Sequence, residues 1–124
     1  MLVYFRQHNL DWNVRLQPEL RVQVAQTRFR VPDVTVLDRD QPIEQIVTRP
    51  PVAVFDVLSP DDIMPRMLNK LADYERMGIV GIFVIDPKGS KFRFAGGSLT
   101  PIPAGATPCG RLVINFQEIE QLLD

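Results

Sequence analysis

Between Pro50-Pro51 and Ser59-Pro60 the chain carries an apolar run, Val52-Ala53-Val54-Phe55-Asp56-Val57-Leu58, broken by one carboxylate. Its length and its β-branched and aromatic content predict a strand in the middle of a sheet, covered on both faces. Side chains alternate along a strand, so Asp56 shares a face with Val52, Val54 and Leu58. An ionised carboxylate is costly to bury there without compensation. Two kinds of compensation are open: a structural hydrogen-bond or salt-bridge partner, or a bound metal ion that takes an oxygen ligand.

Upstream, residues 19–37 follow a period of two. Leu20, Val22 and Val24 alternate with Glu19, Arg21 and Gln23, and Arg28-Phe29-Arg30-Val31 follows a short turn, which predicts an antiparallel hairpin. If Pro32 does not introduce a bulge, its second strand turns Phe29, Val31 and Asp33 to one face, the core side, and Arg28 and Arg30 to the other. Residues 38–51 are polar, contain three prolines and read as an exposed connection. After Ser59-Pro60, Asp61 or Asp62 is expected to cap a helix that carries Pro65 in its first turn and ends at Gly78. Met64, Met67, Leu68, Leu71 and Tyr74 form its expected buried stripe, with Lys70 on the border.

Residues 82–85 are a second apolar run, closed by Asp86-Pro87 and the Lys88-Gly89 turn, with 91–94 as a hairpin partner. Strand, helix and strand over 52–85 are long enough for a right-handed parallel crossover. The stretch 95–110, rich in Gly and Pro, is expected to be loop with one short strand near Leu99. Residues 112–114 are expected to form an edge strand and 117–122 a terminal helix. At the other end, 2–5 with Leu10 and Trp12 read as a helix end followed by a loop.

Composition narrows the chemistry. The 124 residues, 45% of them hydrophobic and 23% charged, make one soluble domain with a core of its own. No segment is apolar enough to span a membrane, and Arg6-Gln7-His8 follows the first apolar residues too closely for a signal peptide, so the cytoplasm is the expected compartment. Cys109 and His8 are the sole residues of their kinds. An internal disulfide and a Cys/His zinc site are excluded, and any metal site must be built from carboxylates. The formal charge of −1, spread without a basic run, argues against tight nucleic-acid binding by one isolated subunit. A dimer or a local basic cluster would change that.

Three residues stand out together: Asp33 after Pro32, Asp56 in the central strand and Lys70 on the following helix. Carboxylates from adjacent strands suit Mg²⁺ or Mn²⁺, which keep positions for water and for phosphate oxygens. A neighbouring lysine can orient a water or neutralise charge on a phosphodiester under attack. Glu19, at the start of the first hairpin strand, can complete the set. Each also has a plain structural reading: Asp33 as a turn residue, Asp56 as a paired buried acid, Lys70 as a solvated helix residue and Glu19 as surface. Asp86 reads as a strand end, and Tyr74, Cys109 and His8 as packing residues.

The ordered set Phe29-Arg30-Val31-Pro32-Asp33-Val34, Val54-Phe55-Asp56-Val57-Leu58-Ser59-Pro60, Lys70, Tyr74, Gly78 and Phe83-Val84-Ile85-Asp86-Pro87 resembles the Uma-two type family. That family is catalogued among restriction endonucleases, within the PD-(D/E)XK nuclease superfamily, and was long a domain of unknown function. The resemblance implies an α/β domain of restriction-endonuclease-like type, a mixed central sheet flanked by helices. By the same resemblance Asp33 matches the Asp of the Pro-Asp element, and Asp56 the acid of the second element, where members more often have Glu. The superfamily often places lysine two residues after that acid. Leu58 stands there in this chain, and Lys70 matches a lysine moved to the next helix. Glu19 is a looser match to a further upstream acid. Family members carry a longer N-terminal region, so residues 1–124 read as a single, shortened domain.

The implied function is a Mg²⁺-dependent (or Mn²⁺-dependent) endonuclease acting on DNA, with Asp33, Asp56 and Glu19 as metal ligands and Lys70 assisting catalysis, working as a homodimer. The rival is a catalytically inactive interaction or DNA-binding module that keeps the fold. A Lys70–Asp56 salt bridge with no vacancy for an ion would favour the rival.

Overall fold

The computed structural model describes residues 14–41, 44–102, 106–109 and 112–115, with side chains placed for 19–41, 44–102 and Cys109. The helix end expected over 2–5 with Leu10 and Trp12, His8, and the terminal helix over 117–122 lie outside the described residues. In chain order come β1 (Val14–Pro18), β2 (Arg21–Ala25), β3 (Arg28–Arg30), β4 (Val34–Asp38), β5 (Ile46–Val47) and β6 (Ala53–Val57). Then follow α1 (Met64–Met77), β7 (Gly81–Ile85), β8 (Lys91–Ala95), β9 (Ser98–Pro101), β10 (Ala106–Cys109) and β11 (Leu112–Asn115).

A six-stranded mixed sheet in the order β1-β4-β6-β7-β8-β9 organises the fold. Its neighbours are antiparallel except β6 and β7, which run parallel and are joined through α1. This is the α/β class, and the parallel pairing is the one the 52–85 pattern predicts. A smaller sheet, β3-β2-β5, and a β10-β11 pair complete the described strands.

Alternation along the parallel pair decides what faces the helix. Val54 lies opposite Ile82 and Asp56 opposite Val84. Val54, Ile82 and Val84 pack against Met67, Leu71 and Tyr74 of α1, a set spaced four and three residues apart on one helix face. Phe55 and Phe83 point to the other side of the sheet and stack with ring centroids 5.0 Å apart. Cys109 covers the sheet on that side. A Cβ on Gly81 would stand 2.3 Å from its Sγ and 2.9 Å from the Ala53 Cβ, so close approach demands glycine there.

The expected α1 stripe is wider than the real one, because Met64 and Leu68 are exposed. The cap also differs. Ile63 occupies the N-cap position without a side-chain hydrogen bond, and Asp62 instead accepts from the Ser59 N–H at 2.7 Å, fixing the turn that leads into the helix. Pro65 sits in the first turn as expected. At the far end Gly78, at φ 103°, donates to the Glu75 carbonyl while the Ile79 N–H reaches the Tyr74 carbonyl. This left-handed residue satisfies carbonyls that the helix leaves open.

The β2–β3 hairpin forms, but its faces are reversed from expectation. Phe29 and Val31 are 42% and 45% exposed, and Arg28 and Arg30 turn towards α1. The register of β2 against β3 shifts between Gln23 and Ala25, and a buried carboxylate on the helix attracts both guanidiniums. Residues 38–51 are not wholly an exposed connection. β5 pairs with β2, and Val47 packs in a second cluster with Val22 and Leu37. Within 95–110, β9 forms near Leu99 as predicted, and β10 adds a strand that pairs with β11. No helix among the described residues is long and apolar enough to cross a membrane.

Candidate active site

The antiparallel register of β4 against β6 ends at Val34 opposite Phe55. Continued by one step, it sets Asp33 opposite Asp56, and there carboxylates take over from the backbone ladder. The Val57 N–H donates to Asp33 Oδ2 at 2.6 Å, and the Asp33 N–H donates to Asp56 Oδ1 at 3.3 Å. Each aspartate thus holds the other's strand in place. Pro32, buried and unable to donate, ends the preceding strand and leaves the chain turned so that Asp33 can do this. Asp33 itself is exposed and not turned to the core side as its spacing from Phe29 and Val31 suggested.

The same step in the register of β1 against β4, which ends at Pro18 opposite Val34, brings Glu19 opposite Asp33. The Glu19 N–H reaches the Asp33 carbonyl at 3.3 Å, with Glu19 at a left-handed φ of 51° and exposed to solvent. Three acidic positions therefore stand in one row across three strand ends. Their carboxylates do not converge: among the described residues no three His, Cys, Asp or Glu side chains are placed to share a metal ion.

Asp56 points from β6 into the contact with α1, where it is 2% exposed. Lys70 and Tyr74, one helical turn apart, both face it. The Lys70 ammonium donates to Asp56 Oδ1 at 2.9 Å and to the Val31 carbonyl at 3.3 Å. Asp56 Oδ2 and the Tyr74 hydroxyl are both sealed from solvent and lie against each other without a well-formed hydrogen bond. Burial pushes the Asp56 carboxyl above the usual carboxylate range. The Lys70 charge and hydrogen bond oppose this, the Asp33 charge adds to it, and the net shift stays upward. Burial, then the Asp56 charge and the contact of the hydroxyl with that carboxylate, likewise push the Tyr74 phenol upward.

Asp33, Asp56 and Lys70 are thus brought together as the spacing of the sequence suggested, and Glu19 adjoins them through its backbone. What the sequence reading missed is Tyr74, which supplies a buried hydroxyl to the same spot, and a second buried acid, Asp73. Asp73 is 3% exposed and holds three arginines. Arg28 reaches Oδ1 at 2.9 Å, Arg30 reaches Oδ2 at 2.8 Å, and Arg76, one turn along the helix, also binds Oδ1. The alternation Arg28-Phe29-Arg30 was a legible signal for a shared anion, although nothing local pointed to Asp73.

Residues 2–94 match the family described as "Putative restriction endonuclease", the Uma-two family. The chain belongs to that family. Its fold is shared with the crystal structure of a putative nuclease from Anabaena variabilis, itself of a family of unknown function. The TM-score is 0.75 at 18% identity, covering 99% of this chain and 76% of that one. A DrdV–DNA complex solved by cryo-electron microscopy aligns at TM-score 0.49 and 18% identity, over 82% of this chain and 10% of the other. No curated protein matches. The Uma-two family assignment agrees with the α/β restriction-endonuclease-like architecture seen here.

Proposed function

We propose that this Uma-two family member is a metal-dependent endonuclease of DNA, with Asp33 and Asp56 as ligands of Mg²⁺ or Mn²⁺. The observation that carries the reading is the under-neutralised acid pair. Two carboxylates from adjacent strand ends adjoin a single lysine, and one oxygen of Asp56 is buried without a partner. Such a set suits a hard divalent cation with oxygen ligands. When bound, the ion supplies a water of lowered pKa and positive charge beside the phosphodiester. Asp33 fixes the Val57 backbone, so the end of β6 holds still while substrate binds. Lys70 is half-buried and reaches Asp56 along the helix surface, so once released from Oδ1 its ammonium stands where it can orient water or offset phosphate charge. Glu19, exposed at the end of the row, is an additional ligand in this reading and needs its carboxylate to swing inwards. A homodimer cutting both strands, and a cytoplasmic location, go with it.

A second reading is favoured by one specific contact. Lys70 already neutralises Asp56 Oδ1, and Oδ2 is closed off by packing, which is how a purely structural acid would be housed. In that case the chain is an interaction or DNA-binding module that keeps the nuclease fold. Calorimetric titration of Mn²⁺ into the wild type and Asp56→Ala, with plasmid nicking scored on the same samples, separates the two. The nuclease reading expects binding and nicking in the wild type and loss of both in a folded Asp56→Ala. Absence of Mn²⁺ binding from both proteins establishes the structural acid.

A further inference from the structure

The even spread of charge in the sequence hides a local concentration. On α1, Arg66, Lys70, Asp73 and Arg76 recur at spacings of four, three and three residues and so share one helix face. β3 lies along that face and contributes Arg28 and Arg30 from alternate positions. Three guanidiniums meet the single Asp73 carboxylate there, so the cluster keeps an excess of positive charge. Arg28 and Arg76 remain more than half exposed at 57% and 67%. Arg66 is exposed too, and it borders, with Arg30 and Lys70, a cleft of about 170 Å³ at the start of the helix. Asp61 and Asp62 also line that cleft, and Asp62 is already engaged by the Ser59 N–H.

We infer that this seam between β3 and α1 is the track on which the phosphate backbone of duplex DNA lies as it enters the Asp33–Asp56 site. The inference rests on the nuclease reading and adds the surface that serves it. From Arg66 to Arg76 the helix rises about 15 Å. That is roughly half of one turn of B-form duplex at about 34 Å per turn. Planar guanidiniums with hydrogen-bonding forks suit phosphate oxygens better than ammonium groups do. Continuity with the site is direct, because Lys70 belongs to both: it borders the cleft and bonds Asp56. The seam also answers the objection from net charge, since phosphates respond to the local arrangement of arginines and not to the sum over the chain.

The test is fluorescence anisotropy of a labelled duplex in metal-free buffer over a range of salt, so that binding is read without cleavage. The variants are Arg66→Gln, the pair Arg28→Gln with Arg76→Gln, and Arg49→Gln as control. Arg49 is exposed beside Val52, at the end of β6 opposite to Asp56. Thermal melts establish folding, and Arg66→Gln removes no ion pair seen here. For Arg66→Gln the plot of log affinity against log salt is expected to become shallower by about 0.9, and for the pair by about 1.8. Arg49→Gln is expected to match the wild type. Seam variants that bind with wild-type affinity and slope overturn the track while leaving the nuclease reading in place. A wild type that binds no duplex under any salt condition also overturns the track, and the nuclease reading is then decided by the plasmid-nicking assay alone.

Discussion

Asp56 and Asp73 are both almost closed to solvent, one deep between the central strand and the helix and one near the surface beneath three arginines, and they are housed in opposite ways. Asp73 is over-supplied. Burial alone would push its carboxyl upward, but hydrogen bonds from Arg30, Arg76 and Arg28 outweigh that and hold it below the usual range. Asp56 is under-supplied, with one lysine, a neighbouring Asp33 charge of the same sign and an oxygen facing a hydroxyl without a well-formed bond to it. A buried acid that serves architecture is neutralised in full. One left short of partners keeps a demand for a cation, and this is why Asp56 and not Asp73 is the candidate ligand.

The comparison is sharpest where Asp73 is removed. Asp73→Ala leaves three arginines without their shared anion and detaches β3 from α1. A loss of about 3 kcal/mol is expected, at the low end for a broken buried pair because water screens Arg28 and Arg76. Chemical denaturation measures it, and a loss below 1 kcal/mol would make the cluster incidental. The pH dependence has a definite sign. With its folded pKa lowered, Asp73 contributes stability above the unfolded value near 3.8, and this is lost as pH falls below 3.8 through the folded value. The penalty of Asp73→Asn relative to wild type should therefore fade in acid.

At Asp56 the sign reverses. With its folded pKa raised, the ionised acid costs stability as pH climbs above 3.8 through the folded value. Asp56→Asn, which keeps the shape and an acceptor for Lys70, is expected to stabilise the fold at pH 7 by removing a carboxylate whose burial is not fully compensated, with the gain vanishing near pH 3. Thermal melts across that range check it, and destabilisation at pH 7 would mean that the Lys70 pair is a net structural asset. The smallest effect belongs to Tyr74→Phe. Removing a buried hydroxyl that makes no well-formed hydrogen bond should leave stability unchanged or raise it by less than about 1 kcal/mol. A larger loss in equilibrium unfolding would show that the hydroxyl bonds Asp56 in solution.

How much of this was legible beforehand differs by element. The β6 strand, the helix ending at Gly78, the β7–β8 hairpin and the parallel crossover follow from apolar runs and turn residues, which act locally. The faces of the β2–β3 hairpin did not, because a three-residue strand has too little periodicity to choose a face against two arginine–carboxylate pairs supplied by a distant helix. The width of the α1 stripe failed for a related reason: Met64 and Leu68 fit the period, but no element of the described structure covers them. At the site, Asp56 was legible as a misfit in its strand, and Lys70 by its place on the helix. Asp33 was legible as a neighbour of Asp56 although its orientation was wrong, since Pro32 ends the strand phase on which that orientation was based.

From its own pattern the chain determined the strands over 53–57 and 81–85, the helix that joins them in an α/β crossover, and that a carboxylate would sit where none belongs. Local chemistry suffices for that, because alternation, caps and turns are written within a few residues. Only the tertiary structure decided how Asp56 is compensated, that its oxygen meets Tyr74, that Glu19 stands in the acidic row without converging on it, and that five basic residues gather along one seam. Those outcomes depend on registers between strands distant in sequence and on which helix face meets them, and no single segment carries that information.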